Sequence, residues 1–490
     1  MVGAGLVIGD VFRHAARAVP DRVAAIFGDE CLTFRALDER ANATAHALAA
    51  AGFVAGDRVL TWSATNLDVV VLFAAAAKAG LVFAPMSPHL GTDEAEPIAR
   101  AARPAVIVTD ADRTPDGRAL GVRLGVPVTE LDALPRGGSQ IDVEIDVDER
   151  SPHVIFFTSG SSGRPKGAVL SHRVNFLRTH PGAQFEPRGV AVCMFPLFHM
   201  GGWTIALQQW QARDAVVLLP AAEPGSICAA VTGHRATRLN CIPLVWRQIL
   251  DEIASGRVGI DALATLEFAD TGTSATPPEL LTALFATMPN ATVRVFYGST
   301  EAGNVTTLEP QDFAGKPGRV GVPSVSTEIR VGVTGELEVL GPLLADGYFE
   351  DDEATTAAFV DGWYRTGDLA EIDGDGFVSI VGRANAVIRT GGESVVPAEI
   401  EQVLGHHPMV ADIVVVGVPD PDYGEVVCAV VAPVGGLVPT LEELRSFAAD
   451  RLAGFKLPRR IEVVDVIPRT AATSQPQRAL IVEQLLARDS

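Results

Sequence analysis

Hydrophobic and polar positions follow two rhythms along this chain of 490 residues. Between about Arg58 and Asp110, short unbroken apolar runs at Val59–Trp62, Leu81–Ala84 and Ala105–Val108 flank a longer apolar stretch at Leu67–Ala79. Short runs without alternation predict strands covered on both faces, and the longer stretch predicts a buried helix between them. The rhythm resumes at Ala191–Phe195, Ala215–Leu219 and Leu239–Ile242, with helix-length segments between the runs. Strands alternating with helices predict an α/β fold, here a large doubly wound N-terminal body. From Gly318 to Gly347 the texture changes to short β segments rich in Gly and Pro, such as Glu336–Leu340, which predict a smaller β subdomain. The C-terminal part reads as a separate α+β unit. It has helices at Pro397–Leu404 and Leu441–Leu452 and strands at Ile413–Val416, Val426–Val431 and Ile461–Val464.

Charge narrows the function classes. Asp and Glu number 60 against 39 Lys and Arg, a formal net charge of −21 with no basic block, which argues against nucleic acid or an anionic membrane as the main partner. Five scattered cysteines, Cys31, Cys193, Cys228, Cys241 and Cys428, predict reduced core residues and neither a disulfide frame nor a zinc site. The most apolar segment, Val69 to Met86, is interrupted by Lys78, Gly80 and Pro85 and predicts a buried helix followed by a strand, with no integral membrane association. No basic region precedes the short apolar opening, so the expected location is cytoplasmic.

Chemistry concentrates in a few ordered motifs. The run Phe156-Phe157-Thr158-Ser159-Gly160-Ser161-Ser162-Gly163-Arg164-Pro165-Lys166-Gly167 joins an apolar strand to a hydroxyl- and glycine-rich loop ending in a lysine. Backbone N–H groups, hydroxyls and a point charge in that order suit a polyphosphate. Lys166 is followed by Gly167 and not by Ser or Thr, so this is not a Walker A loop. Downstream, Phe296-Tyr297-Gly298-Ser299-Thr300-Glu301 combines an aromatic ring for stacking, a hydroxyl for phosphate and a carboxylate for Mg²⁺. Trp363-Tyr364-Arg365-Thr366-Gly367-Asp368 offers an acceptor for ribose hydroxyls, and Gly382-Arg383 with Arg389-Thr390-Gly391-Gly392-Glu393 offers an arginine and a close-approach turn.

These motifs, in this order, resemble those of the adenylate-forming superfamily of acyl-CoA synthetases, adenylation domains and luciferases, and the resemblance runs from about Arg22 to Gln484. It implies activation of a carboxylic acid by Mg·ATP to acyl-AMP and transfer to coenzyme A. By the resemblance, Thr158, Ser159, Gly160, Ser161, Ser162, Gly163 and Lys166 hold the β- and γ-phosphates. Thr300 meets the α-phosphate, Glu301 the metal, and Tyr297 and Gly298 lie by the adenine. Asp270-Thr271-Gly272-Thr273-Ser274 resembles the loop beside adenine and acyl pocket, with Gly272 and Thr273 as its contacts. Asp368 and Arg383 hold the ribose, and Gly391 and Gly392 serve the pantetheine tunnel. Phe195-Pro196-Leu197-Phe198-His199-Met200-Gly201-Gly202-Trp203 resembles the acyl-pocket motif, with His199 at the entrance and Trp203 on the wall. No cation stands among those pocket residues, which favours an apolar or aromatic monoacid. The implied domains are 1–382, a hinge at 383–386 about Asn385, and a mobile 387–490. The oligomeric state, monomer or dimer, stays open.

Two positions depart from the family pattern. The family carries a catalytic lysine shortly after a Pro-Arg-Thr run. Here Pro468-Arg469-Thr470 is followed by Ala471-Ala472-Thr473-Ser474-Gln475, which puts Gln475 at that place. At the hinge, Asn385-Ala386 replaces charged residues. The alternatives are a slowed CoA ligase, an enzyme in which Lys456 or Arg478 substitutes for the lysine, an adenylating enzyme with another acceptor, or a nucleotide- or acyl-CoA-binding protein with little catalysis.

Overall fold

The computed structural model describes residues 5–159, 165–180, 188–470 and 474–489. Among them the chain forms two compact units, one of residues 1–328 and 339–364, the other of residues 329–338 and 365–490.

The first unit is built on two sheets. In one, six parallel strands run in the spatial order Val23–Phe27, Val216–Leu218, Ala191–Cys193, Arg238–Cys241, Phe268–Gly272 and Thr292–Ser299. The second sheet has a parallel part of five, Val128–Glu130, Val106–Thr109, Arg58–Trp62, Val82–Met86 and Pro152–Ser159. Each parallel part ends in an antiparallel hairpin partner. Thr292–Ser299 turns back into Gly303–Leu308, and Pro152–Ser159 pairs with Pro165–Ser171. Both hairpins carry motif residues.

The helix Leu67–Ala79 forms where expected. Asn66 caps it by accepting from the Val69 N–H at 2.9 Å, and Gly80 ends it in the left-handed conformation at φ +67°. Every one of its residues from Val69 onward is buried, because it touches Val23–Phe27 of one sheet and Val82–Met86 of the other. A helix enclosed on all sides is apolar on all sides, which explains why the sequence shows no amphipathic stripe there. Lys78 is the exception, and its ammonium meets Asp38 at 2.6 Å, Asn42 at 2.7 Å and Asp142 at 3.1 Å.

In the second unit Val410–Asp420 and Gly424–Pro433 form a long antiparallel pair, with Arg460–Val463 added in parallel to the latter. The helices Pro397–Leu404 and Leu441–Ala448 cover one face through Ile400, Leu404 and Leu444 against Val415, Val427 and Val431. The helix Arg478–Asp489 covers the other face through Ile481 and Leu485 against Val414, Val416 and Val430. Leu441–Ala448 stops four residues before the expected Leu452, which is buried beyond the helix end.

Of the cysteines, four are buried as expected, but Cys31 is exposed. It lies on the short edge strand Glu30–Thr33, which pairs on one side only. No helix among the described residues is long and apolar enough to cross a membrane.

Candidate active site

In the first unit the two hairpins bring distant motif residues together. Thr158 and Lys166 face each other across Pro152–Ser159 and Pro165–Ser171, with the Thr158 hydroxyl donating to the Lys166 carbonyl at 3.5 Å. The expected loop positions Gly160, Ser161, Ser162 and Gly163, and the Ser159 side chain, lie outside the described residues. The Lys166 ammonium sits 5.2 Å from the ring centroid of Tyr348, on the strand Gly347–Tyr348 that pairs with the lysine's own strand. Tyr348 in turn donates from its hydroxyl to Glu301 Oε1 at 3.1 Å. One tyrosine therefore touches both the lysine of the first motif and the carboxylate of the second. Burial, then the charge of Glu301, pushes its phenol up, so it remains a hydrogen-bond donor at neutral pH.

Glu301 is buried at 8 % exposure, on the turn after Thr292–Ser299. Arg178, in a helix far upstream, donates to the carbonyls of Thr300 at 2.8 Å and Glu301 at 2.7 Å. The Ser299 hydroxyl accepts from the Ala302 N–H at 3.1 Å and tightens the same turn. Among the described residues no group of three or more His, Cys, Asp or Glu is placed to hold a metal ion. A single hard carboxylate fits Mg²⁺, which keeps water and phosphate oxygens for its other positions, and does not fit an all-protein metal cage.

Gly272 and Gly298 are required by close backbone approach. A Cβ on Gly272 would lie 2.2 Å from the Phe296 carbonyl oxygen, and one on Gly298 2.0 Å from that of Gly303. Gly298→Ala is therefore expected to cost about 1–3 kcal/mol, the usual penalty of overpacking, and a denaturation midpoint equal to wild type would refute it. Directly after Gly272, Thr273 is exposed and holds φ +66°. A β-branched residue in the left-handed region is strained, and such strain concentrates at ligand sites. Tyr297 is half-buried on the same strand as Gly298.

His199 is the N-cap of the helix Met200–Gln211, its Nδ1 accepting from the Gly201 N–H at 3.1 Å. Burial pulls the imidazole down to about 4, so it is neutral at physiological pH. Trp203, expected on a pocket wall, is instead core. It is 1 % exposed, stacks on Phe73 at 3.9 Å between centroids and donates to the Leu197 carbonyl at 2.7 Å.

In the second unit, Asp368 and Arg383 are register partners on neighbouring strands and form an ion pair at 2.8 Å. Asp368 is 5 % exposed, so the motif aspartate is buried and directional, not a loose turn residue. Gly391 at φ +57° and Gly392 at φ +86° form the two-residue turn between Ile388–Thr390 and Glu393–Val395, a conformation that glycine adopts without penalty. Lys456 is clamped by both carboxylate oxygens of Glu399 at 2.7 Å. Arg478 is paired with Glu401 at 2.6 Å. Gln475 is exposed, and its carbonyl accepts from the Thr470 N–H at 2.8 Å.

Residues 12–349 match the model of the AMP-binding enzyme family, and residues 399–473 match that of the AMP-binding enzyme C-terminal domain. The chain belongs to the AMP-binding enzyme family. A feruloyl-CoA synthase of an Amycolatopsis species is 33% identical over 93% of this chain and 95% of its own length. The indoleacetate–CoA ligase of Aromatoleum aromaticum is 30% identical over 97% of both. The ATP-bound crystal structure of MatB from Rhodopseudomonas palustris superposes with a TM-score of 0.87 at 28% identity, over 97% of this chain and 98% of that one. This adenylate-forming protein is thus an AMP-forming acid–CoA ligase that uses ATP, Mg²⁺ and CoA, with the α/β body and smaller C-terminal domain expected of it.

Arg178 and Tyr348 belong to no motif in the sequence reading. Arg178 lies 122 residues from Thr300 along the chain, and no local spacing announces its contact.

Proposed function

We propose that this ligase activates an aromatic monocarboxylic acid and transfers it to CoA. The observation that carries the reading is the near full-length similarity to ligases named for ferulate and indoleacetate. The neutral His199 and the apolar Phe195, Leu197 and Phe198 around it agree, since they offer no cation to a second carboxylate.

In this reading Glu301 would hold the Mg²⁺ of Mg·ATP, which would supply positive charge to the phosphates. Lys166 and Thr158 receive the β- and γ-phosphates. Thr300 contacts the α-phosphate, and Tyr297 packs on adenine beside Gly272, Thr273 and Gly298. Asp368 and Arg383 bind the ribose hydroxyls, with their ion pair holding the acceptor in place. His199 stands at the acyl entrance. Residues 387–490 are the mobile part about a hinge at 383–386, with Gly391 and Gly392 serving the pantetheine arm. Five free cysteines support a cytoplasmic setting.

The test is ATP–pyrophosphate exchange and CoA-thioester formation over aromatic, fatty and dicarboxylic acids. Exchange and thioester with aromatic acids, and none with dicarboxylates, are expected. Preference for a dicarboxylate would refute the substrate class, and exchange without thioester would refute CoA as acceptor.

A further inference from the structure

The turn that carries Thr300 and Glu301 is gripped from two directions. Arg178, near the end of the helix His172–Thr179, is 8 % exposed. Its Nε donates to the Leu343 carbonyl at 2.7 Å, and its two terminal nitrogens take the consecutive carbonyls of Thr300 and Glu301. Burying a cation is costly, and a neutral side chain of similar volume would fill the space without that cost. What only a guanidinium supplies is a rigid planar fork that spans neighbouring acceptors. Burial pulls Arg178 down to about 10, with the charges of Glu301 and Asp346 opposing, so it stays cationic at neutral pH. Gly303 completes the fit. A Cβ there would come within 3.0 Å of the Arg178 Nε.

Tyr348 grips the other end of the same residue. Its strand partner is Ala168, two residues beyond Lys166, and the registry places its ring by the lysine and its hydroxyl on one carboxylate oxygen of Glu301. Glu301 therefore has its backbone carbonyl tied to Arg178 and its Oε1 tied to Tyr348. Backbone and side chain are restrained independently, from elements distant in sequence.

We propose that Arg178 and Tyr348 are positioning residues for the ligase reaction. Arg178 locks the backbone of the Thr300–Glu301 turn, and Tyr348 orients the Glu301 carboxylate so that its second oxygen faces the metal of Mg·ATP. This rests on the assignment of Glu301 to the metal. Mutation of the hydrogen-bond partners that orient metal ligands typically costs about 10–100-fold in metal affinity or activity.

Calorimetric titration of ATP binding over a Mg²⁺ series, without acid or CoA, tests this in wild type, Tyr348→Phe, Arg178→Lys and Glu301→Gln. Tyr348→Phe and Arg178→Lys are each expected to raise the half-saturating Mg²⁺ about 10-fold, within the usual range of about 10–100-fold for such partners, and in Tyr348→Phe, which leaves the Thr300 backbone untouched, ATP binding in EDTA stays at the wild-type level. The double variant is expected to lose less than the product of the two, because both restrain one residue, Glu301, through its backbone and its carboxylate. A Tyr348→Phe protein with wild-type Mg²⁺ dependence, beside a Glu301→Gln protein that has lost it, would overturn the positioning role and leave the Glu301 assignment standing. A Glu301→Gln protein with unchanged Mg²⁺ dependence would overturn both. If Arg178→Lys does not fold, Tyr348→Phe decides, because it deletes one oxygen and keeps the packed ring.

Discussion

Replacing Gln475 with lysine is expected to raise acid-dependent ATP–pyrophosphate exchange by about 10²–10³, the usual worth of one preorganised donor at a developing negative charge. An amide donates a hydrogen bond but carries no charge. By the family resemblance, alignment on Pro468-Arg469-Thr470 puts Gln475 at the place of the lysine. Gln475 is exposed, and its backbone is tied to Thr470 in both directions, by the Thr470 N–H on its carbonyl at 2.8 Å and by its own N–H on the Thr470 hydroxyl at 3.0 Å. Both of these contacts use main-chain atoms of residue 475, so a lysine there can keep them. The two cations proposed as substitutes are already committed, Lys456 to Glu399 and Arg478 to Glu401. Thioester formation should rise less than exchange, because the lysine acts in the first half-reaction. An exchange rate equal to or below wild type would show that Gln475 does not occupy the lysine's place.

Acid should destabilise the first unit well before its carboxylates protonate. His153 and His172 are both fully buried with ring centroids 4.6 Å apart. His172 Nδ1 accepts from the Ile8 N–H at 3.2 Å, His153 Nδ1 meets the Asn175 amide at 3.1 Å, and the Nε2 atom of each is buried without a hydrogen-bond partner among the described residues. Burial pulls His172 down to about 4 from an ordinary 6.5, and burial together with the neighbouring His172 pulls His153 well below its ordinary value. Both rings are therefore neutral when folded, and the unfolded chain binds more protons. The contribution is fully present above pH 6.5 and is lost as the pH falls from 6.5 towards 4. For His172 alone the loss amounts to about 3 kcal/mol, from 2.5 pH units at 1.36 kcal/mol each. Denaturation midpoints measured from pH 7.5 to 4.5 should fall steeply, and His172→Gln should flatten the slope while keeping an acceptor near the Ile8 N–H. A slope unchanged in that variant would assign the acid sensitivity elsewhere.

The legibility of the site followed sequence separation. Thr158 and Lys166 sit on one hairpin, Tyr297 to Glu301 on the end of one strand and the turn after it, and Asp368 and Arg383 on adjacent strands with few residues between, so short motifs captured them. Arg178, Tyr348 and the His153–His172 pair left no such trace. Arg178 reaches Leu343 across 165 residues, and Tyr348 reaches Glu301 across 47. Trp203 marks the opposite error. Its motif position suggested a pocket, but stacking on Phe73 placed it in the core.

Local sequence was sufficient for the elements and the chemistry. The helix Leu67–Ala79, the strand Glu336–Leu340 and the helix Pro397–Leu404 form with the expected ends, because caps, breakers and apolar runs act over a few residues. The ordered motifs likewise named the family, since phosphate and metal impose residue types over short spans. The tertiary structure alone decided which atoms restrain those residues. Two sheets ending in antiparallel hairpins bring Lys166, Tyr348 and Glu301 into contact, and Arg178 closes the turn from a separate helix. Such contacts depend on strand order, and on register in strands buried on both faces, whose unbroken apolar runs lack the alternation that would fix it.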